Sequence, residues 1–310
     1  MVKSKIAQKH FHDEDAARAW FEAARWPDGP VCPNCGSLKH YATKKVGRYR
    51  CGEPECRKDF TVQTKTVMER SHAPLTHWAY AFTVAADGKK GFSAHQLMRQ
   101  LGCQYNTAWF LHHRVMEAMR RGGLDLPPMG GEGKIVEADE TYFGKPETPH
   151  VSKQRRGRPY LKGNKARNSR PIVALVERGG NVRTFHIAVA DKATVSKIVM
   201  DNIAKESRLH TDESRLYVGA DAHFSSHETV KHSAKEYARG DVNTNSAEGF
   251  FSIFKRGMKG VYQHCAEKNL HRYLAEFEFR YNTRKISDGE RAVLAVRGGE
   301  GKRLTYRQPH

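Results

Sequence analysis

The sequence has no apolar run approaching the roughly 18–20 residues of a membrane-spanning helix. Its opening, Met1 to His10, lacks the apolar core of a secretory leader. No internal repeat stands out, so a solenoid or propeller is not expected. Cysteine is scarce, six in 310 residues, which is too few for a disulfide scaffold of this length. Acid is short as well. Aspartate plus glutamate number 34 against 53 lysines and arginines, a net charge of +19 with a pI near 9.7. Such a surplus attracts polyanions, and nucleic acid fits it better than a membrane surface. The expectation is a cytoplasmic protein, long enough for two or three modules and one sizeable core.

Four of the cysteines sit close together, in Cys32-Pro-Asn-Cys35 and Cys51-Gly-Glu-Pro-Glu-Cys56. Paired thiols at such spacings read as two metal knuckles in a reducing compartment. Joined by a short segment, they place four thiolate sulfurs about one Zn²⁺ at ~2.3 Å. Pro33, Gly36, Gly52 and Pro54 suit the sharp turns, while Tyr41, Val46 and Tyr49 are strand-like. A zinc ribbon over 31–65 is expected. Cys103 and Cys265 stand alone and read as small core residues.

Ahead of the ribbon, residues 13–25 read as an amphipathic helix with Ala17, Trp20, Phe21 and Ala24 at helical spacing. After it, 74–121 reads as all helical. Ser93 caps one helix with Leu97 and Leu101 inward, Gly102 makes a turn, and Thr107-Ala-Trp109 begins a second helix. This is the grammar of a helix-turn-helix DNA-binding domain over 66–122, although an ordinary helical hairpin satisfies it too. The second helix would offer Gln104, Asn106 or Arg114 to base edges or phosphates. A linker rich in glycine and proline covers 123–133.

Beyond the linker the pattern turns to strands: 134–139, a hairpin of 171–177 and 182–188, then 209–212 and 216–219. Helices are expected at 194–205, 225–238, 246–258 and 267–284. A mixed sheet flanked by helices is the natural α/β solution for 134–290, and 291–310 reads as a loosely ordered basic tail. Residues 152–170 are strongly basic, with Arg155, Arg156, Arg158 and Lys162 among their cations. Arg156-Gly-Arg-Pro159 is similar to an AT-hook, a flat extended element that enters a narrow minor groove. A loop ordered only by DNA phosphates is the alternative.

Three acids form an ordered set: Asp139 and Asp212 at strand ends, and Glu248 in the first turn of a helix. Carboxylates at neighbouring strand ends repel one another unless a cation neutralises them, and oxygen-only ligands select Mg²⁺ or Mn²⁺. Two such ions ~3.5–4 Å apart would serve phosphodiester displacement. Glu248 and Lys255 lie within roughly 20° of each other on the helix, sharing a stripe with Asn245 and Ser252 while Phe250, Phe251 and Phe254 offer an apolar face. Asn245 could instead be an N-cap with Glu248 closing a capping box. Glu137, Glu140, Glu213 and Asp221 are neighbouring acids that composition leaves in play.

Arg25-Trp-Pro-Asp-Gly-Pro-Val-Cys-Pro-Asn-Cys35, Val136-Glu-Ala-Asp-Glu-Thr-Tyr-Phe-Gly144 and Asn243-Thr-Asn-Ser-Ala-Glu-Gly-Phe-Phe-Ser-Ile-Phe-Lys-Arg-Gly257 together carry a resemblance, extended by Leu270-His-Arg-Tyr-Leu-Ala-Glu-Phe-Glu-Phe-Arg-Tyr-Asn282. The chain resembles a bacterial insertion-sequence transposase of the DDE superfamily, in the zinc-ribbon group with the ISXO-like transposase domain, from about residue 10 to about 285. The resemblance implies an RNase H-like catalytic fold with Asp139, Asp212 and Glu248 as the metal-binding triad. It puts Lys255 at the trailing cation position with Arg256 beside it, and leaves Asn245 as rival or helper to Glu248. It implies double-stranded DNA as partner, both element ends and target, and a homo-oligomer that bridges two ends in the bacterial nucleoid. A DNA-binding regulator without catalysis and a nuclease without joining are the competing readings.

Overall fold

The computed structural model describes residues 7–121, 126–148, 151–152, 154, 156–159, 169–231, 234 and 238–304. Arg155 and Lys162 lie outside them. The chain folds as two units, one of 1–121 with 283–310 and one of 122–282.

In the first unit, α1 (Glu14–Arg25) starts at Asp13, whose side chain accepts from the Ala16 N–H, and it buries Ala17, Phe21 and Ala24. A three-stranded antiparallel sheet follows, β1 (His40–Ala42), β2 (Arg48–Cys51) and β3 (Asp59–Thr61). Its inner face sets Tyr49 and Phe60 against Trp26. Residues directly opposite across a ladder share a face, so Tyr41, Arg50 and Asp59 form one rung of the outer side. Val46 lies in the β1–β2 turn and is exposed, not in a strand.

Next come α2 (Leu75–Asp87), α3 (Ala94–Leu101) and α4 (Tyr105–Met119). The Ser93 hydroxyl accepts from the Gln96 N–H, and Gly102 adopts φ +63°, a left-handed turn that glycine enters without strain. The helix pair is therefore the one expected, with α4 starting two residues early. The last helix, α8 (Asp288–Arg297), belongs to this unit and packs on α1, α2 and α4. Thus 283–290 belongs to this unit, not to the one holding 134–282, and the described residues after it, 291–304, are no loose tail. A capping box between Ser287 and Glu290 starts α8, and Ala292, Ala295 and Val296 are buried.

The second unit holds a five-stranded sheet built from β4 (Ile135–Phe143), β7 (Arg170–Glu177), β8 (Val182–His186), β9 (Arg208–Asp212) and β10 (Ser226–Val230), in spatial order β10-β9-β4-β7-β8. β7 runs antiparallel to both its neighbours, β4 and β8, whereas β9 and β10 are parallel to β4. Two-residue strands β5 (Val151–Ser152) and β6 (Arg158–Pro159) pair separately. Between them Arg156 and Gly157 take φ +52° and +77°. Arg156-Gly157 is therefore a turn leading into β6, and the Arg-Gly-Arg-Pro segment is not flat and extended along its length.

Alternation along the strands sends successive side chains to opposite faces. Val136, Ala138, Val173, Leu175 and Leu209 pack on one face with Val195 and Val199 of α5 (Lys192–Asn202). Against the sheet on the opposite side lie α6 (Asn245–Gly257) and α7 (Leu270–Asn282). Phe250, Phe251 and Phe254 are buried, and each contributes roughly 2 kcal/mol to seating α6. Two expected elements differ. Residues 226–230 form the edge strand β10 in place of the start of a helix, because their backbone pairs in register with β9. Arg215–Tyr217 is a 3-10 turn, not a strand. Among the described residues no helix is long and apolar enough to cross a membrane.

Candidate active site

Asp139 and Asp212 occupy the α6 side of the sheet, because Ala138 and Leu209 face the opposite core and the strand period is two. Pairing of β4 with β9 is recorded from Ile135↔Arg208 to Glu137↔His210, which carries the two aspartates forward side by side. Glu248 approaches from the first turn of α6. It lies on the exposed stripe with Asn245 and Ser252, while Ala247, Phe250, Phe251 and Phe254 point inward, as the periodicity predicts.

Electrostatics tie the set together. Desolvation first, then the charges of Glu140, Asp212 and Glu248, push the Asp139 carboxyl up to about 8. Half-buried Lys255 is held below its ordinary value by desolvation, with Asp139 acting against that shift. Asp212, Glu248 and Lys255 thus all lie within electrostatic reach of Asp139. Local hydrogen bonds aim the acids: the Glu140 N–H donates to Asp139 Oδ1 at 2.8 Å, and the Ser214 N–H to Asp212 Oδ1 at 2.9 Å. Arg256 is exposed one residue beyond Lys255, its Nε donating to the Ser252 carbonyl at 3.2 Å.

Asn245 is not the N-cap. Thr244 holds that place without a side-chain cap bond, and its hydroxyl donates to Glu248 Oε1 at 3.2 Å. No capping box therefore claims Glu248. The amides of α6 are met by Glu137 instead, whose Oε2 accepts from the N–H groups of Ser246 (2.7 Å) and Ala247 (3.1 Å). Glu137 is fully buried and bonded to Arg178. Of the other neighbouring acids, Glu140 turns to the opposite face, where Ser214 Oγ and the Tyr217 hydroxyl donate to it at 3.0 and 2.9 Å. Burial, and then Asp212, raise its carboxyl. Glu213 is exposed, and Asp221 acts on His227, outside the set. The roles of Glu137 and Arg178 were not legible in advance. The one signal is that Glu137 shares Asp139's strand face.

The four cysteines converge in the first unit, all sulfurs within 4.8 Å of one another. Cys32 and Cys56 Sγ stand 3.8 Å apart, and Cys35 and Cys51 Sγ 3.5 Å. A tetrahedron of sulfurs at ~2.3 Å from Zn²⁺ has edges of about 3.8 Å, so the donors fit a structural zinc. The carboxylates form no comparably tight group among the described residues.

Four of the expected DNA contacts are exposed: Gln104 and Asn106 at the start of α4, Arg156 in the β5–β6 turn and Arg158 in β6. Arg114 is not available. It is 5 % exposed, lies over the Phe110 ring and donates to the carbonyls of Glu69 and Leu304. The reason is that α4 is buried on every side from Leu111 to Met119. A surface that was not anticipated is the outer side of the ribbon, a shallow hollow of about 590 Å³ lined by Tyr41, Lys44, Lys45, Arg48, Arg50 and Asp59.

Residues 130–282 match the family model of the ISXO2-like transposase domain, and residues 12–59 that of the transposase zinc-ribbon domain. The chain is 30 % identical over 284 residues to an uncharacterised protein in transposable element ISH50 of Halobacterium salinarum (strain ATCC 700922 / JCM 11081 / NRC-1). The match covers 88 % of this chain and 92 % of that protein. With acids, cation and cysteines placed as described, the chain belongs to the transposase family that joins a zinc ribbon to an ISXO2-like transposase domain.

Proposed function

We propose that the protein is a DDE-type DNA transposase that binds the terminal inverted repeats of its element, cleaves to expose 3′-hydroxyls and joins those ends to target DNA. The observation that carries this reading is the grouping of Asp139, Asp212 and Glu248 on one side of the sheet, close enough for each of the other two to raise Asp139. Three antiparallel strands followed by two that run parallel to the first, with the first strand central, support an RNase H-like fold for 122–282. Oxygen-only donors suit Mg²⁺ or Mn²⁺. Asp139, Asp212 and Glu248 would hold two such ions, which supply a deprotonated water or 3′-hydroxyl and neutralise the leaving oxygen.

Lys255 and Arg256 hold the phosphate beside the scissile bond. Glu248 is the third ligand in preference to Asn245, because its oxygen is anionic and Lys255 follows it by two helical turns; Asn245 assists from the same stripe. The α3–α4 pair acts as the helix-turn-helix, presenting Gln104 and Asn106. The outer ribbon face and the exposed Arg156 and Arg158 grip the backbone of end or target DNA. Joining two ends needs two copies, so the working form is a homo-oligomer on chromosomal DNA in the cytoplasm.

The test is strand transfer by the zinc-loaded protein with labelled end DNA and Mg²⁺. Asp139→Ala, Asp212→Ala and Glu248→Ala each abolish joining and leave end binding nearly intact. Full activity of Asp212→Ala refutes the triad. Cleavage without joining would make the protein a nuclease, and end binding without cleavage a regulator.

A further inference from the structure

Glu137 is an acid beside a carboxylate site, yet its oxygens are fully engaged. Oε1 accepts from Arg178 Nε (3.0 Å), Arg178 Nη2 (2.9 Å) and Ser246 Oγ (3.0 Å), while Oε2 accepts from the N–H groups of Ser246 and Ala247. A carboxylate offers about four lone-pair sites, and five donors on a side chain with 0 % exposure leave none for a metal. Arg178 extends the junction, donating from Nη1 to the Asp241 carbonyl (2.7 Å) and from Nη2 to the carbonyl and Oδ1 of Asn243 (both 3.2 Å). The chain entering α6 and the first turn of that helix are thereby tied to β4 and the β7–β8 turn.

The position of this junction matters more than its strength. Glu137 stands two residues before Asp139 on the same face of β4. The amides it holds belong to Ser246 and Ala247, the two residues directly before Glu248. Asp139 is therefore connected to Glu248 along two residues of β4 and one set of hydrogen bonds, with no loop in between. A negative charge at a helix N-terminus is also favoured by the helix dipole.

We propose that Glu137 and Arg178 are positioning residues that set the separation of Asp139 from Glu248, and so the spacing of the divalent-ion ligands. This rests on the transposase reading above. Shortening the side chain by one methylene, about 1.5 Å, keeps the charge but cannot satisfy both Arg178 and the helix amides without moving α6. Partners that orient ligands in this way cost roughly 10–100-fold in metal affinity when altered.

The experiment measures Mn²⁺ binding by calorimetry on the full, zinc-loaded chain, alongside thermal unfolding and the Mg²⁺ dependence of strand transfer on pre-bound end DNA. Glu137→Asp and Arg178→Lys are expected to bind end DNA normally and to weaken Mn²⁺ about tenfold. Their strand transfer should recover at raised Mg²⁺, which a general folding defect would not do. Ser246→Ala removes one contact of the five and should weaken Mn²⁺ by less than the about tenfold expected of the Glu137 variant, a readout that survives if the Glu137 variants fail to fold. Unchanged Mn²⁺ affinity in the folded variants, Ser246→Ala included, or activity that metal does not restore, overturns the proposal. Failure of the transposase reading looks different: wild type and Asp139→Ala would then bind Mn²⁺ alike.

Discussion

Replacing Asp139 with asparagine should stabilise the protein in magnesium-free buffer at alkaline pH. With its folded pKa pushed to about 8 from 3.8, the Asp139 carboxyl keeps a proton that the unfolded chain has already released. Its contribution to stability is therefore intact below about pH 4 and is lost as pH rises through 8. At 1.36 kcal/mol per unit the limit is about 6 kcal/mol, and water reaching the mouth of the site reduces this to about 2–3 kcal/mol. Asparagine keeps the shape without the charge, so Asp139→Asn escapes the loss. For a unit of this size, the melting temperature at pH 8.5 should exceed wild type by roughly 5–10 °C, and the gap should narrow toward pH 5 and close below about pH 4. Mg²⁺ should raise wild type and leave the variant unmoved. The assay is calorimetry after dialysis against magnesium-free buffer, with no chelator that would strip zinc. A variant less stable than wild type at pH 8.5 without Mg²⁺ would refute the reasoning, since Asp139 would then have a favourable partner in place of three repelling acids.

Cys32→Ser with Cys35→Ser should lose bound zinc, unfold the ribbon and weaken end binding; a variant that binds ends like wild type contradicts the structural role of the site. On the ribbon face, Lys44→Glu with Lys45→Glu should lower DNA affinity uniformly across sequences and flatten the salt slope by about two. Arg114→Ala should leave that slope alone and lower the melting temperature, because Arg114 is a buried brace. His186, His210 and His227 are each held below the ordinary histidine value, mainly by desolvation, with Arg178 and Arg208 adding to it at His210. The stability they contribute is present above about pH 6.5 and is lost as pH falls below it. His227→Gln should blunt the acid slope of unfolding, and an unchanged slope counts against the assignment.

What the sequence disclosed was local. The α6 stripe followed from a period of 3.6, and the buried Phe250, Phe251 and Phe254 agree with it. The cysteine knuckles followed from spacing, and Ser93 and Gly102 from cap chemistry. What it hid was decided at a distance. Strand β10 is short, polar and half-buried, and it exists because β9, the strand before it, offers an edge to pair with. Arg114 sits among His112, His113 and Glu117, a polar run with the look of surface that the first unit nevertheless encloses. Helix α8 reads as tail until its alanines find α2 and α4. Glu137 could be told from a metal ligand only once Arg178 and the start of α6 were seen to occupy its oxygens.

On the transposase reading, Asp139, Asp212 and Glu248 hold divalent ions together. Crystals soaked in Mn²⁺ and measured at its absorption edge test this directly, with zinc distinguished by its own edge. The expected result is anomalous density bounded by the oxygens of those three side chains and absent from Asp139→Ala crystals. Mn²⁺ bound elsewhere, or no bound Mn²⁺ under conditions that support strand transfer, would contradict it.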